Sequence, residues 1–202
     1  MIVVLVALAI MLPLGSAVLD RRTASTAADA AALAAAELWK DSLGDLHEDL
    51  LLVTNDDAFW ALLDRPVGDY RSAGMAEAAQ RYAQRNDSVL TDYAVDVWNA
   101  RVSVRVRSAE TVPGTDQYVY SEATAELRLE RGVCLRGGRV GVVIGGTCRT
   151  EPLPAPPPEP EPEPTETDDD DEPEPEPTPE PPYELPSNLE RTVVVETRLV
   201  AG

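Results

Sequence analysis

The residue types that could carry chemistry in this chain are few, and their spacing excludes more than it suggests. Cys134 and Cys148 are the two cysteines, and they flank the glycine-rich stretch CLRGGRVGVVIGGTC. Two cysteines this close, in a chain with an export-like amino terminus, most simply form one disulfide closing a hairpin, and closing a loop of about fifteen residues stabilises a fold by roughly 3 kcal/mol. A zinc or redox pair fits poorly, because there is no C-x-x-C and no accompanying histidine. His47 is the single histidine. It stands between Leu46 and Glu48 with no second ligand at metal spacing, and reads as a surface or boundary residue of an amphipathic helix. The run Asp168 to Asp171 lacks the glycine and distal glutamate of an EF-hand loop. Gly137, Gly138, Gly141, Gly145 and Gly146 lack a following G-K-[ST] and read as turns and bulges, not as a phosphate loop. No nucleophile elbow or spaced carboxylate pair stands out. The expectation is a non-enzymatic chain without a cofactor or metal.

The elements that would organise such a chain begin with its first forty residues. Ile2 to Leu19 carries no charge, and at 1.5 Å per residue it would be about 27 Å long, near the ~30 Å of a bilayer core. Asp20, Arg21 and Arg22 mark a water interface. From Thr23 to Leu38 nearly every residue is a good helix former, so one long helix, half in lipid and half out, is predicted. Ala24, Ala28, Ala32 and Ala36 recur four apart, as do Ala27, Ala31 and Ala35. Small residues at that spacing make a smooth face on which another backbone can approach closely, and they mark a helix-packing face. An alanine-rich composition produces the same spacing by itself.

Further along, Leu43, Leu46, Leu50 and Leu51 keep helical spacing. Asn55 to Asp57 predict a break, with Asp57 capping a short helix through Leu63. Ser72 is placed as the cap of a helix ending at Asn86, a suitable left-handed residue, with Met75, Ala79, Tyr82 and Ala83 facing the core. The period then changes to two. Tyr93, Val95 and Val97, then Val102, Val104 and Val106 alternate with polar or small residues; Tyr118 to Glu130 and Arg139 to Thr150 give further runs. These are antiparallel strands with one buried face. NLERTVVVETRLVAG reads as a last strand returning to the sheet.

Charge sorts the chain as well. The net charge is -19 over 202 residues, which disfavours nucleic acid and anionic membrane surfaces as partners. Glu151 to Ser187 alone holds fourteen acidic residues, no basic ones and fifteen of the eighteen prolines. It reads as an extended, disordered acidic loop, and the rest of the chain is only about five charges negative. The expected division is 1–19 transmembrane helix, 20–150 extracytoplasmic α+β domain, 151–187 acidic loop and 188–202 C-terminal strand.

The order of these features resembles a family. A membrane segment, then D-R-R, then AADAAALAAA, then AEAAQRYAQRN followed by VSVRVRSAETVPG and ATAELRL, is similar to the TadE/TadG-like proteins of Flp-type (Tad) pilus assembly. No glycine precedes the apolar run and no acidic residue lies just inside it, so the chain leans toward the uncleaved TadG-like type. The resemblance implies a pilin-like fold, a long N-terminal helix on an antiparallel sheet with a covering helix, exposed outside the membrane. It also implies partners: other pilus or secretion-system subunits, met through helix packing, and a possible homo-oligomer. Arg21 and Arg22 after the apolar run favour the reverse orientation by the positive-inside rule; the exported orientation rests on the resemblance and on the cysteines. A signal peptide cut after Ala17 is the rival reading, and it would leave a secreted or envelope-anchored binding module.

Overall fold

The computed structural model describes residues 2–152 and 183–201, with side chains placed from Leu19 onward. Its spine is α1, Ile2–Leu52, a single helix of 51 residues. It runs past the predicted loosening after Asp41 because Leu43, Leu46 and Leu50 hold the same face as the alanines before them, and all three are buried. A short α2, Asp56–Ala61, follows. Its cap is Asn55 and not the expected Asp57: the Asn55 Oδ1 accepts the Ala58 N–H at 2.8 Å, and Asp57 lies inside the first turn.

After a 3₁₀ turn at Val67–Tyr70 comes α3, Met75–Arg85, and then β1 (Ser88–Asp96), β2 (Arg101–Ser108) and β3 (Tyr120–Arg131). The left-handed residue ending α3 is Asp87 (φ 50°), not Asn86, which stays at φ -112°. Three short strands, β4 (Val133–Arg136), β5 (Arg139–Ile144) and β6 (Thr147–Arg149), precede β7 (Val194–Val200). The order β1-β2-β3-β7 forms one antiparallel sheet, and β4-β5-β6 a second. The class is therefore α+β, and β7, the last strand, pairs antiparallel with β3 at the edge of the larger sheet.

Both helices cover one face of the larger sheet: α1 crosses β2, β3 and β7, while α3 lies on β1 and beside α1. Val102, Val104 and Val106 of β2, with Ala125 and Leu127 of β3, point into that layer and are buried. The opposite face is wet, with Arg101 on Glu126 at 2.8 Å and Arg105 on Glu122 at 3.3 Å across the ladder.

The predicted membrane span at 1–19 falls on positions 1–18, whose side chains lie outside the described residues. Among the described residues no helix is long and apolar enough to cross a membrane. Most of the predicted acidic loop, residues 153–182, also lies outside the described residues.

Candidate functional site

The predicted helix-packing face is already occupied. Ala24, Ala28, Ala32 and Ala36 are fully buried, as are Ala27, Ala31 and Ala35. They lie in the layer where α1 meets its own sheet and α3, so the close approach that the small residues permit is made within the molecule. A face spent in this way is unavailable to a second helix while the domain is folded, and the reading of these alanines as an intermolecular contact is corrected accordingly. Trp39 ends the alanine run. It is fully buried, and its indole N–H donates to the Val67 carbonyl at 3.2 Å, tying α1 to the 3₁₀ turn.

Cys134 and Cys148 are bonded, with Cα atoms 5.9 Å apart. They do not close a two-stranded hairpin. Cys134 sits on β4 and Cys148 on β6, with β5 between them. Strands two apart in a flat sheet are separated by about 9.5 Å, so this sheet curls over itself. Gly141, opposite Cys134, permits the curl, since a Cβ there would stand 2.3 Å from the Arg149 carbonyl oxygen.

His47 is buried, at 3 % exposure, where the sequence reading placed it at the surface or boundary. Its Nε2 lies 3.1 Å from the Glu190 carbonyl, on the segment that leads into β7. Gly132, at φ 74°, makes room for it: a Cβ there would meet the Thr192 carbonyl at 2.8 Å and His47 Nε2 at 3.0 Å. The burial comes from a segment 143 residues downstream, which local spacing cannot reveal. The reverse holds for Tyr82, expected in the core. It is 40 % exposed, with the Arg85 guanidinium over its ring at 5.2 Å. Met75, Ala79 and Ala83 take the core positions of α3.

Two carboxylates bind neighbouring elements together. Glu37 of α1 accepts from Lys40 and from the Thr197 hydroxyl of β7. Burial alone would raise its pKa, but these hydrogen bonds outweigh it and hold the carboxyl below its ordinary range. Glu126 of β3 is likewise partly desolvated, yet Arg101 and Arg198, at 2.8 and 3.1 Å, lower its pKa overall.

Two clefts flank the helix layer. One, about 440 Å³, runs between α1 and α3 along Leu33, Ala34, Leu38, Ala78 and Tyr82 and is mostly apolar. The other, about 430 Å³, opens where α1 enters the domain. Asp20, Asp87 and Glu110 line it together with Ser88 and Ser108, and no Lys or Arg does. Among the described residues no three His, Cys, Asp or Glu side chains converge as a metal site.

The fold thus defines a class in outline: one long helix forming the core of a small α+β domain whose sheet it backs. Comparison with protein-family models, with curated proteins and with solved structures finds no match.

Proposed function

We propose that the chain is a non-enzymatic structural component of a cell-envelope apparatus, of the kind that assembles Tad/Flp-type pili or related secretion machinery. In this reading a single N-terminal helix anchors it in the membrane, and its α+β domain lies outside. The observation that carries the reading is continuity. The helix holding the uncharged stretch Ile2 to Leu19 is the same helix whose later face, from Ala24 to Leu50, is the core of the domain. A bilayer-embedded segment would be coupled to the domain without a hinge. The long helix laid on an antiparallel sheet, with α3 beside it, supports the pilin-like comparison, and the disulfide fits an oxidising compartment.

The corrected alanine face changes how partners would be met. Any lateral helix packing would use the side of α1 that faces away from the sheet, around Leu33 and Ala34, or the segment before Leu19.

Fractionation of the host cell with mass spectrometry of the N-terminal peptide tests the proposal. An intact N-terminal segment in the membrane fraction is the expected result. A soluble product beginning at Val18 would overturn it in favour of a secreted binding module.

A further inference from the structure

Trp98 is the one tryptophan of three that the fold leaves in solvent. It is 66 % exposed, whereas Trp39 is buried and Trp60 packs against the core. Its position is fixed nonetheless. Trp98 sits in the turn between β1 and β2, where the Asp96 carboxylate accepts the Trp98 and Asn99 backbone N–H groups at 3.0 and 3.1 Å and the Asn99 side-chain amide at 2.6 Å. Ala100 follows with left-handed backbone, φ 51°, and is fully buried, which pins the turn to the core. On one side the indole lies against Gly138 in the β4–β5 turn: a Cβ there would stand 2.5 Å from Trp98 Cε3. A ring backed by main chain and otherwise open is a platform on which an apolar group can stack with little further loss of side-chain freedom.

The residues around the ring restrict what stacks there. Arg136 and Arg139 flank Gly138 in the turn, and both are exposed. Arg136 has no ion-pair partner among the described residues, and Arg139 has only the exposed Asp64, at 3.4 Å. On the other flank, Arg71 donates to the carbonyl of Gly68, against which the Val97 side chain packs. Asp96, the nearest acid in sequence, is consumed by the turn. An indole edged by guanidinium groups suits an acidic, proline-rich peptide, because polyproline II offers preordered rings to aromatic surfaces and carboxylates pair with Arg.

The chain carries such a peptide itself. Residues 153–182, outside the described residues, hold twelve acidic side chains, thirteen prolines and no basic residue. They begin close to the platform. Thr150 still lies beside β5, its Cγ2 3.0 Å from where a Cβ on Gly141 would stand, and Gly141 is three residues, about 10 Å, along the strand from Gly138. Pro156 comes six residues after Thr150, about 20 Å of extended chain, so the run Pro156 to Pro158 can reach Trp98 without unpairing any strand.

We propose that Trp98, on its Gly138 backing, is the docking platform for the chain's own run Pro156 to Pro164: a ring of Pro156 to Pro158 stacks on the indole, and Glu159, Glu161 and Glu163 face Arg136 and Arg139. Tethering gives this peptide a high effective concentration at the platform, which favours it over the same run of another copy. The inference does not depend on the membrane anchor.

The test uses the full chain in detergent micelles, deuterated except at Trp and Pro. Nuclear Overhauser contacts between the Trp98 indole and proline ring protons are expected, and Pro156→Ala/Pro157→Ala/Pro158→Ala should abolish them while the amide shifts of β2 and β3 stay in place. In amide spectra of the protonated chain, Ala155 and Glu159 should show ring-current shifts that vanish in Trp98→Ala. The triple proline variant changes no described residue, so it reads the contact even if Trp98→Ala disturbs the turn. Glu159→Gln/Glu161→Gln/Glu163→Gln should weaken the contacts about two- to fivefold, the range of exposed ion pairs.

Absence of the contacts in the parent, amide shifts that ignore Trp98→Ala, or contacts undiminished in the Glu→Gln variant would each overturn the proposal. Contacts equally strong in a mixture of copies protonated only at Trp with copies protonated only at Pro would overturn the same-chain assignment.

Discussion

Replacing Ala32 by Leu, with Ala34→Leu as its control, tests the placement of the alanine face most directly. The two positions are 200° apart around α1. Ala32 has no exposed surface and sits between the helix and the layer beneath it, whereas Ala34 is half-buried on the wall of the apolar cleft beside Tyr82. Leu adds three carbons, and in a layer whose spacing is set by alanine there is no room for them without moving α1 off the elements it packs on. Overpacking of this kind costs about 1–3 kcal/mol. For a domain of this size each kcal/mol lowers the melting temperature by about 2–4 °C, so a fall of roughly 2–12 °C is expected for Ala32→Leu. Ala34→Leu should stay within about 0.5 kcal/mol of the parent, since the added side chain lies along an open cleft. Near-ultraviolet circular dichroism of the full chain in detergent follows the packing of Trp39 directly. Equal losses in the two variants, or a stable Ala32→Leu, would refute the burial of this face inside the molecule.

Two further expectations follow from the same packing. Cys134→Ala/Cys148→Ala removes a covalent link between β4 and β6 that spans 14 residues, and should cost roughly 3 kcal/mol, with amide exchange accelerating most in β4 to β6; uniform acceleration through β1 to β3 would count against a locally acting clamp. Glu126 has a lowered pKa when folded, so its stabilisation is present above the unfolded value near 4.5 and is lost as pH falls through the folded value. Glu126→Gln should therefore be less stable than the parent at neutral pH, with the gap narrowing below about pH 4.5 in thermal melts; a gap that widens toward acid would contradict the pairing with Arg101 and Arg198.

What the sequence discloses here follows the range of the interaction concerned. The valines at 102, 104 and 106 declare a strand and its buried face because the signal repeats every second residue. The helix from Thr23 onward is equally plain, and the spacing of Ala24, Ala28, Ala32 and Ala36 correctly marks a close contact. It cannot say with what, because a sheet and a second helix exploit small residues alike. His47 was hidden for a different reason: its neighbours Leu46 and Glu48 describe a boundary, and the cover arrives from Glu190 after the whole acidic stretch. Tyr82 carries a helical period that suits the core, but the polar tip and Arg85 draw it outward. Ser88 gave no signal at all, since a serine at a strand start is ordinary until its hydroxyl is found enclosed.

The burial pattern along α1 also bears on how an anchored protein of this kind would work. From Ala24 to Leu50 the helix cannot pivot against the sheet without exposing fully buried alanines and Trp39, and Glu37 and His47 fasten it to the β7 side at two further points. In the anchored reading proposed above, orientation set by the residues before Leu19 would be passed to the sheet as a rigid-body constraint. Flexibility between anchor and domain, if the apparatus needs any, has to arise in the few residues around Asp20 to Thr23, where α1 is exposed and the first turn of the buried face has yet to begin.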